Sequence, residues 1–170
     1  PGSYDTEYFS LYRRAGGTFA ILGVETFSER MLKNYRKPFS ISDVYECAML
    51  AHRKGITFGL ELLVGGPGEN EATVRESIAF LPRIKAALLL YSIGIRILPD
   101  TDIYHRALIE GIVSGRDELL FPRFYVSRDL DVGWAARFIQ KSLKHYWYRG
   151  FGMVPVAMRN ALARYCGVIF

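Results

Sequence analysis

The sequence predicts an α/β fold with parallel strands, and three observations carry that prediction. Helical and strand patterns alternate through the first two-thirds of the 170 residues. Crossover helices of about a dozen residues between strands suit right-handed βαβ units. Residues 57–64 form a near-continuous apolar run between Gly55 and Gly65-Gly66-Pro67-Gly68, the pattern of a strand buried on both faces. Hydrophobic residues make up 50% of the chain, enough for one domain's core and too many for disorder.

Taken in order, Tyr4 to Arg14 reads as an aromatic-rich helix ended by Ala15-Gly16-Gly17. Thr18 to Glu25 is a short buried strand with Phe19, Ile21, Gly23 and Glu25 on one face. Ser28 caps a brief helix through Asn34, which Pro38 stops. Ser40 to Asp43 caps the next helix, whose Val44, Cys47, Ala48 and Ala51 recur at helical spacing; Lys54-Gly55 ends it. In the central strand, alternation places Thr57, Gly59, Glu61 and Leu63 on one face and Phe58, Leu60, Leu62 and Val64 on the other. Asn70 caps a helix carrying Val74, Ile78 and Leu81, closed at Pro82. Ala87 to Ile97 is a third strand with Ser92, Gly94 and Arg96 sharing a face, and Asp102 to Glu110 a helix ending at Gly111.

The last third changes character. Leu119 to Asp131 is irregular and aromatic, and Val132 to Tyr148 is helical, with Trp134, Phe138, Ile139 and Tyr146 as core contacts. Gly150 and Gly152 break that helix before a last amphipathic one, Val154 to Tyr165.

Several function classes drop out on composition. The net charge of +5 is mild and spread out, a solvated surface rather than a nucleic-acid stripe. No apolar run approaches the ~20 residues of a membrane span. No basic stretch leads into a hydrophobic one at the N-terminus. Cys47 and Cys166 lie far apart with no partner for a metal clip, and suit reduced thiols of a cytoplasmic protein. Pro1-Gly2-Ser3 reads as the remnant of a cleaved tag.

The chemistry gathers at strand ends. Glu25, Glu61, and Ser92 with Arg96 fall near the C-terminal ends of successive strands, where α/β sheets and barrels place their sites. Gly23, Gly59 and Gly94 sit beside them and clear room on the same face. A buried Glu61 must be paired, protonated or bound to a ligand. A structural ion pair and a ligand-binding carboxylate both meet that demand. Such carboxylates suit a ribose or an amino group, while Arg96 or Lys37 suits a carboxylate. The helix start after Gly66-Pro67-Gly68-Glu69 offers free N–H groups, but Glu69 disfavours phosphate there and points to a tight turn.

Gly23-Val24-Glu25, Lys37, the run from Glu61 to Glu69 (Glu-Leu-Leu-Val-Gly-Gly-Pro-Gly-Glu) and that from Gly94 to Tyr104 (Gly-Ile-Arg-Ile-Leu-Pro-Asp-Thr-Asp-Ile-Tyr) occur in a telling order. They resemble the second half of a radical S-adenosylmethionine barrel, most of all in members with an N-terminal cobalamin-binding domain. The resemblance covers about residues 15 to 127. It implies a parallel βα half-barrel, an incomplete TIM-like barrel over residues 4–115, with an α-helical C-terminal extension over 116–170. It also implies S-adenosylmethionine on the inner face. Glu25 and Glu61 would contact the ribose hydroxyls or methionine amino group, and Lys37 the methionine carboxylate. Leu63 and the backbone from Gly94 to Arg96 would flank the adenine. On its own residues, Lys37 also fits an exposed lysine at a helix end.

In the parent, the resemblance implies reductive cleavage to a deoxyadenosyl radical or a methyl transfer to a small-molecule substrate, with a [4Fe–4S] cluster and cobalamin. The chain departs from the family in lacking the three-cysteine cluster loop, having two cysteines in all. It also has Asp100 where such proteins often carry glycine. The expectation is the C-terminal half of a larger enzyme, inactive alone, whose partner is the N-terminal half and whose severed strands self-associate. Two alternatives stand beside it: a non-catalytic interaction domain, and a small α/β enzyme using Glu25 and Glu61 as an acid–base pair.

Overall fold

A computed structural model describes residues 4–117 and 119–147. Its elements are α1 (Thr6–Arg14), β1 (Phe19–Glu25), α2 (Glu29–Asn34), α3 (Ile41–Arg53), β2 (Thr57–Val64), α4 (Glu71–Ile84), β3 (Leu88–Ile93), β4 (Ile95–Arg96), α5 (Asp102–Ile109), β5 (Phe124–Tyr125) and α6 (Val132–Trp147). The helix expected over 154–165 and the tag remnant at 1–3 lie outside the described residues.

β1, β2 and β3 form one parallel sheet in that order, with Gly23 opposite Glu61 and Glu61 opposite Leu90. One face is the core. Leu22, Val24, Phe58, Leu60, Leu62, Val64 and Leu89 are buried there with Val44, Cys47, Ala48 and Ala51 of α3 and Val74, Ile78 and Leu81 of α4. Ala135, Ile139 and Leu143 of α6 belong to the same cluster, so the start of the C-terminal region completes the helical layer. The other face is open: Phe19 is 41% exposed and Ile21 50%. Burial of β2 on both faces is therefore corrected. Among the described residues, helices cover one face only, and Glu61 on the other is exposed. A parallel sheet with helices on one face and the other bare agrees with the parallel βαβ units that the sequence predicts and with the half-barrel that the resemblance implies.

Capping chemistry sets the helix boundaries. Ser40 and Asp43 close a reciprocal capping box on α3, and Asn70 with Thr73 does so on α4. Three expectations need correction. Ser28 precedes α2 but makes no side-chain cap; the turn is pinned instead by Ser77 Oγ, which accepts from Phe27 N–H at 3.0 Å. α2 stops before Pro38, in a Schellman turn: Arg36 takes the left-handed conformation at φ 53°, and Lys37 N–H donates to Leu32 C=O at 2.9 Å. α4 runs through Pro82 to Ile84, which is fully buried and holds the last turn to the core.

The third strand also differs. It breaks at Gly94, whose φ of 99° only glycine adopts readily. Ile95 and Arg96 then pair antiparallel with Tyr125 and Phe124 in a separate two-stranded sheet. A small second core of Ile97, Ala107, Val113 and Tyr125 supports that excursion.

Candidate functional site

The site begins where β1 loses register with β2. Between Gly23 and Glu25 the pairing slips, and Glu25 takes φ 65°, an uncommon conformation for a side chain-bearing residue. Its carboxylate turns back over Gly23, with Oε1 3.6 Å from where a Cβ on Gly23 would lie. That puts Glu25 on the open face beside Glu61, since Gly23 and Glu61 are register partners. Parallel pairing and a shared face are what a common hollow requires.

The two carboxylates are not equivalent. Lys37 Nζ lies 2.9 Å from Glu25 Oε1, an ion pair with both side chains about three-quarters buried. Glu61 is exposed and makes no hydrogen bond or ion pair among the described residues. An acid–base division between them is not favoured: Glu25 is tied to a lysine and Glu61 is open to water. A partner surface built on the α6 aromatics is likewise not favoured. Trp134 and Phe138 stack on each other at 4.9 Å against the core, with the Arg75 guanidinium 4.8 Å from each ring.

Among the other expected residues, Leu63 is partly buried at the end of β2, and Gly94 is buried, its N–H donating to Val64 C=O at 2.7 Å. Arg96 is exposed in the second sheet, off the face shared by Glu25 and Glu61. The glycines divide. Gly23 leaves space that the Glu25 carboxylate borders, whereas a Cβ on Gly59 would lie 3.1 Å from Leu88 Cβ and one on Gly94 3.1 Å from Phe124 Cβ. Close packing, not room for a ligand, explains the latter two.

Sequence reasoning missed the clamp on the glycine turn after β2. Glu69 is 1% exposed, and its carboxylate accepts from Gly65 N–H at 2.6 Å and Gly66 N–H at 3.3 Å. Glu69 thus closes the glycine turn, while at the helix start that suggested an anion site Asn70 Oδ1 accepts from Thr73 N–H at 3.2 Å. Burial pushes the Glu69 carboxyl above its ordinary range, and its own hydrogen bonds restrain the rise. From outside, Tyr35 Oη lies 3.0 Å from Leu63 C=O and 3.2 Å from Glu69 Oε2, and accepts from Gly66 N–H at 3.2 Å. Burial, then the Glu69 charge, drives the Tyr35 hydroxyl far above its usual range. Asn34 donates to Pro67 C=O at 2.8 Å and Arg30 to Gly68 C=O at 3.0 Å. The signal available beforehand was an Asn-Tyr pair at the end of a short helix facing a Gly-Gly-Pro-Gly turn.

A cleft of about 750 Å³ adjoins this clamp, lined by Asn34, Arg36, Gly68, Ile95, Asp102 and Arg106 among others. The Arg36–Asp102 ion pair, 2.6 Å long and well exposed, joins two of its sides. None of Glu25, Lys37 and Glu61 lines it, so the cleft and the predicted site are distinct.

Residues 1–81 match the Radical SAM superfamily. A curated tryptophan 2-C-methyltransferase of Streptomyces laurentii is 27% identical over 105 residues, 58% of this chain and 18% of that protein. Among solved structures, the radical S-adenosylmethionine methyltransferase TsrM of Kitasatospora setae, with cobalamin and a [4Fe–4S] cluster bound, superposes at a TM-score of 0.76. It is 19% identical, over 91% of this chain and 37% of that one. The same protein with tryptophan substrate and a SAM analogue, aza-SAM, gives 0.69 at 17% identity, over 93% of this chain and 37% of that one. The chain thus spans well under half the length of each of these relatives.

Proposed function

We propose, from the premise that this chain is a radical SAM domain fragment, that its open sheet face is one wall of an S-adenosylmethionine pocket in a larger methyltransferase. One observation carries the proposal. Glu61 and the Glu25–Lys37 pair stand on the same bare face of adjacent parallel strands, near their C-terminal ends. S-adenosylmethionine presents a carboxylate, an ammonium and ribose hydroxyls. Lys37 suits the carboxylate once it is shared with Glu25; Glu25 suits the ammonium, and the unpaired Glu61 the ribose hydroxyls. Leu63 and the backbone from Gly94 to Arg96 flank the adenine.

The cysteines of this chain do not fit a cluster that needs three thiolates. There are two in the sequence, Cys47 is buried in α3, and no group of three metal-ligating side chains occurs among the described residues. The cluster therefore belongs to another part of the parent, as does cobalamin. The relatives' methyl transfer to tryptophan supports an amino-acid or similar small substrate. The partner we assign to the open face is the rest of the barrel, in a cytoplasmic enzyme. Alone, the chain is expected to self-associate through that face.

Calorimetric titration of the full-length protein with S-adenosylmethionine tests the pocket. Glu61→Gln is expected to weaken binding about tenfold, the scale of one hydrogen bond to a charged group. Equal affinity in both proteins would remove Glu61 from the pocket.

A further inference from the structure

We infer that the Tyr35 hydroxyl is a positioning group for S-adenosylmethionine, fixing the loop that carries Lys37 against the strand end that carries Leu63. The inference rests on the pocket proposed above. It starts from the fact that Lys37, in the loop after α2, and Leu63, at the end of β2, belong to different βα units. Tyr35 joins them. Its ring lies where a side chain on residue 66 would be, since a Cβ on Gly66 would come within 2.2 Å of a ring carbon. Its hydroxyl hydrogen is placed between the Leu63 carbonyl and the Glu69 carboxylate, and its oxygen accepts the Gly66 N–H.

The link continues to Lys37 through backbone alone. Tyr35 N–H donates to Met31 C=O at 2.8 Å and Lys37 N–H to Leu32 C=O at 2.9 Å, closing the turn between them. One residue, Arg36, therefore separates a half-buried anchor with three hydrogen-bond contacts from the lysine whose ammonium meets Glu25. Asn34 and Arg30 hold the same turn but end on Pro67 and Gly68, farther along the loop. Tyr35 alone of the three reaches the last turn of β2 itself. Groups that must meet one ligand from two loops act together only if the loops keep a fixed spacing, and a half-buried three-way hydrogen bond supplies it.

Calorimetry of the full-length protein with S-adenosylmethionine tests this, comparing wild type, Tyr35→Phe, Gly66→Ala and the double variant. Phenylalanine keeps the ring seated and removes only the hydroxyl. The dissociation constant is expected to rise about fivefold in Tyr35→Phe, with the number of sites per chain unchanged. Gly66→Ala, whose methyl group displaces the ring, is expected to weaken binding at least as much, and the double variant no further than Gly66→Ala alone. An unchanged constant in Tyr35→Phe overturns the inference. So does a loss of sites at constant affinity, the mark of a fold defect, and so does full additivity in the double variant. No binding by the wild type instead sinks the pocket itself, before any substitution is compared.

Discussion

Lys37 Nζ sits 2.9 Å from Glu25 Oε1, bridging the loop after α2 and the irregular end of β1. With side chains 26% and 21% exposed, the pair is neither a free surface contact nor a dry one. Desolvation has been partly met, so removing one partner leaves a charge that water reaches poorly. Glu61, across the register from Gly23, has no such partner among the described residues. Adjacent strands thus carry one carboxylate paired to a lysine and one that is exposed.

Lys37→Met is expected to destabilise the fold by about 1–2 kcal/mol, between the values for exposed and buried pairs. Glu25→Gln should cost less, since Gln keeps an acceptor for the lysine. The double variant should lose less than the sum of the two, because neither change then strands a charge. Urea midpoints of the four proteins check this; strict additivity would mean that the pair contributes no coupling.

Glu69 gives a pH dependence with a definite sign. Its folded carboxyl titrates above the ordinary value of 4.5, chiefly through burial. The folded chain therefore binds that proton more tightly than the unfolded chain. The group's contribution is fully present below 4.5 and is lost as pH rises through the folded value. Asp43 acts in the opposite direction. The Ser40 backbone and side chain lower its value below 3.8, so its contribution is present above that pH and is lost as pH falls through the folded value. Denaturation midpoints should decline from pH 4.5 towards neutrality, and Glu69→Gln should flatten that decline. A decline unchanged in Glu69→Gln would assign it elsewhere.

The alternation of strands and helices and the caps at Ser40 and Asn70 were legible because each is local: apolar runs, period-two alternation and a capping side chain before a helical pattern. Alternation placed Gly23 and Glu61 on one face, but Glu25 comes to that face through a register slip and a positive φ that alternation does not encode. What alternation does not carry is which face stays bare, since the sequence of β2 is apolar on both sides of Glu61. The break at Gly94 was hidden for a related reason. Ile95 and Arg96 continue a strand pattern, and only pairing with Phe124 and Tyr125, far along the chain, turns them away. The Tyr35 clamp depends on a loop-to-loop contact that no periodicity encodes.

Ser28 illustrates a local rule that tertiary packing overrides. It stands at the cap position of α2, yet its Oγ is buried and has no hydrogen-bond partner among the described residues. A buried hydroxyl left unsatisfied costs about 1–3 kcal/mol. Ser28→Ala is therefore expected to raise stability by about 1 kcal/mol, against the loss an intact cap would show. A drop in the thermal midpoint would show that Ser28 caps the helix in solution.

Pro82 sits inside α4, in its last turn, and denies the Ile78 carbonyl its usual donor. The helix persists because Leu81 and Ile84 on either side are buried. Pro82→Ala restores the N–H at an exposed position and should stabilise the fold by about 1–3 kcal/mol. A neutral or negative change in urea midpoint would mean that the ring's stiffening of the unfolded chain outweighs the restored bond.

The bare face makes a last prediction about the chain in isolation. β1 is an edge strand, so one side of its backbone lacks a strand partner among the described residues, and Phe19 and Ile21 present apolar side chains next to it. Unpaired backbone flanked by exposed hydrophobics is a template for another strand. In a closed barrel, a neighbouring strand would cover that edge. Sedimentation of the isolated chain should therefore show a mass that rises with concentration. Ile21→Lys should shift it towards monomer, because a charge on the bare face opposes stacking without entering the core, which lies on the opposite side of the sheet. A monomer that persists at every concentration would mean that the edge is already protected.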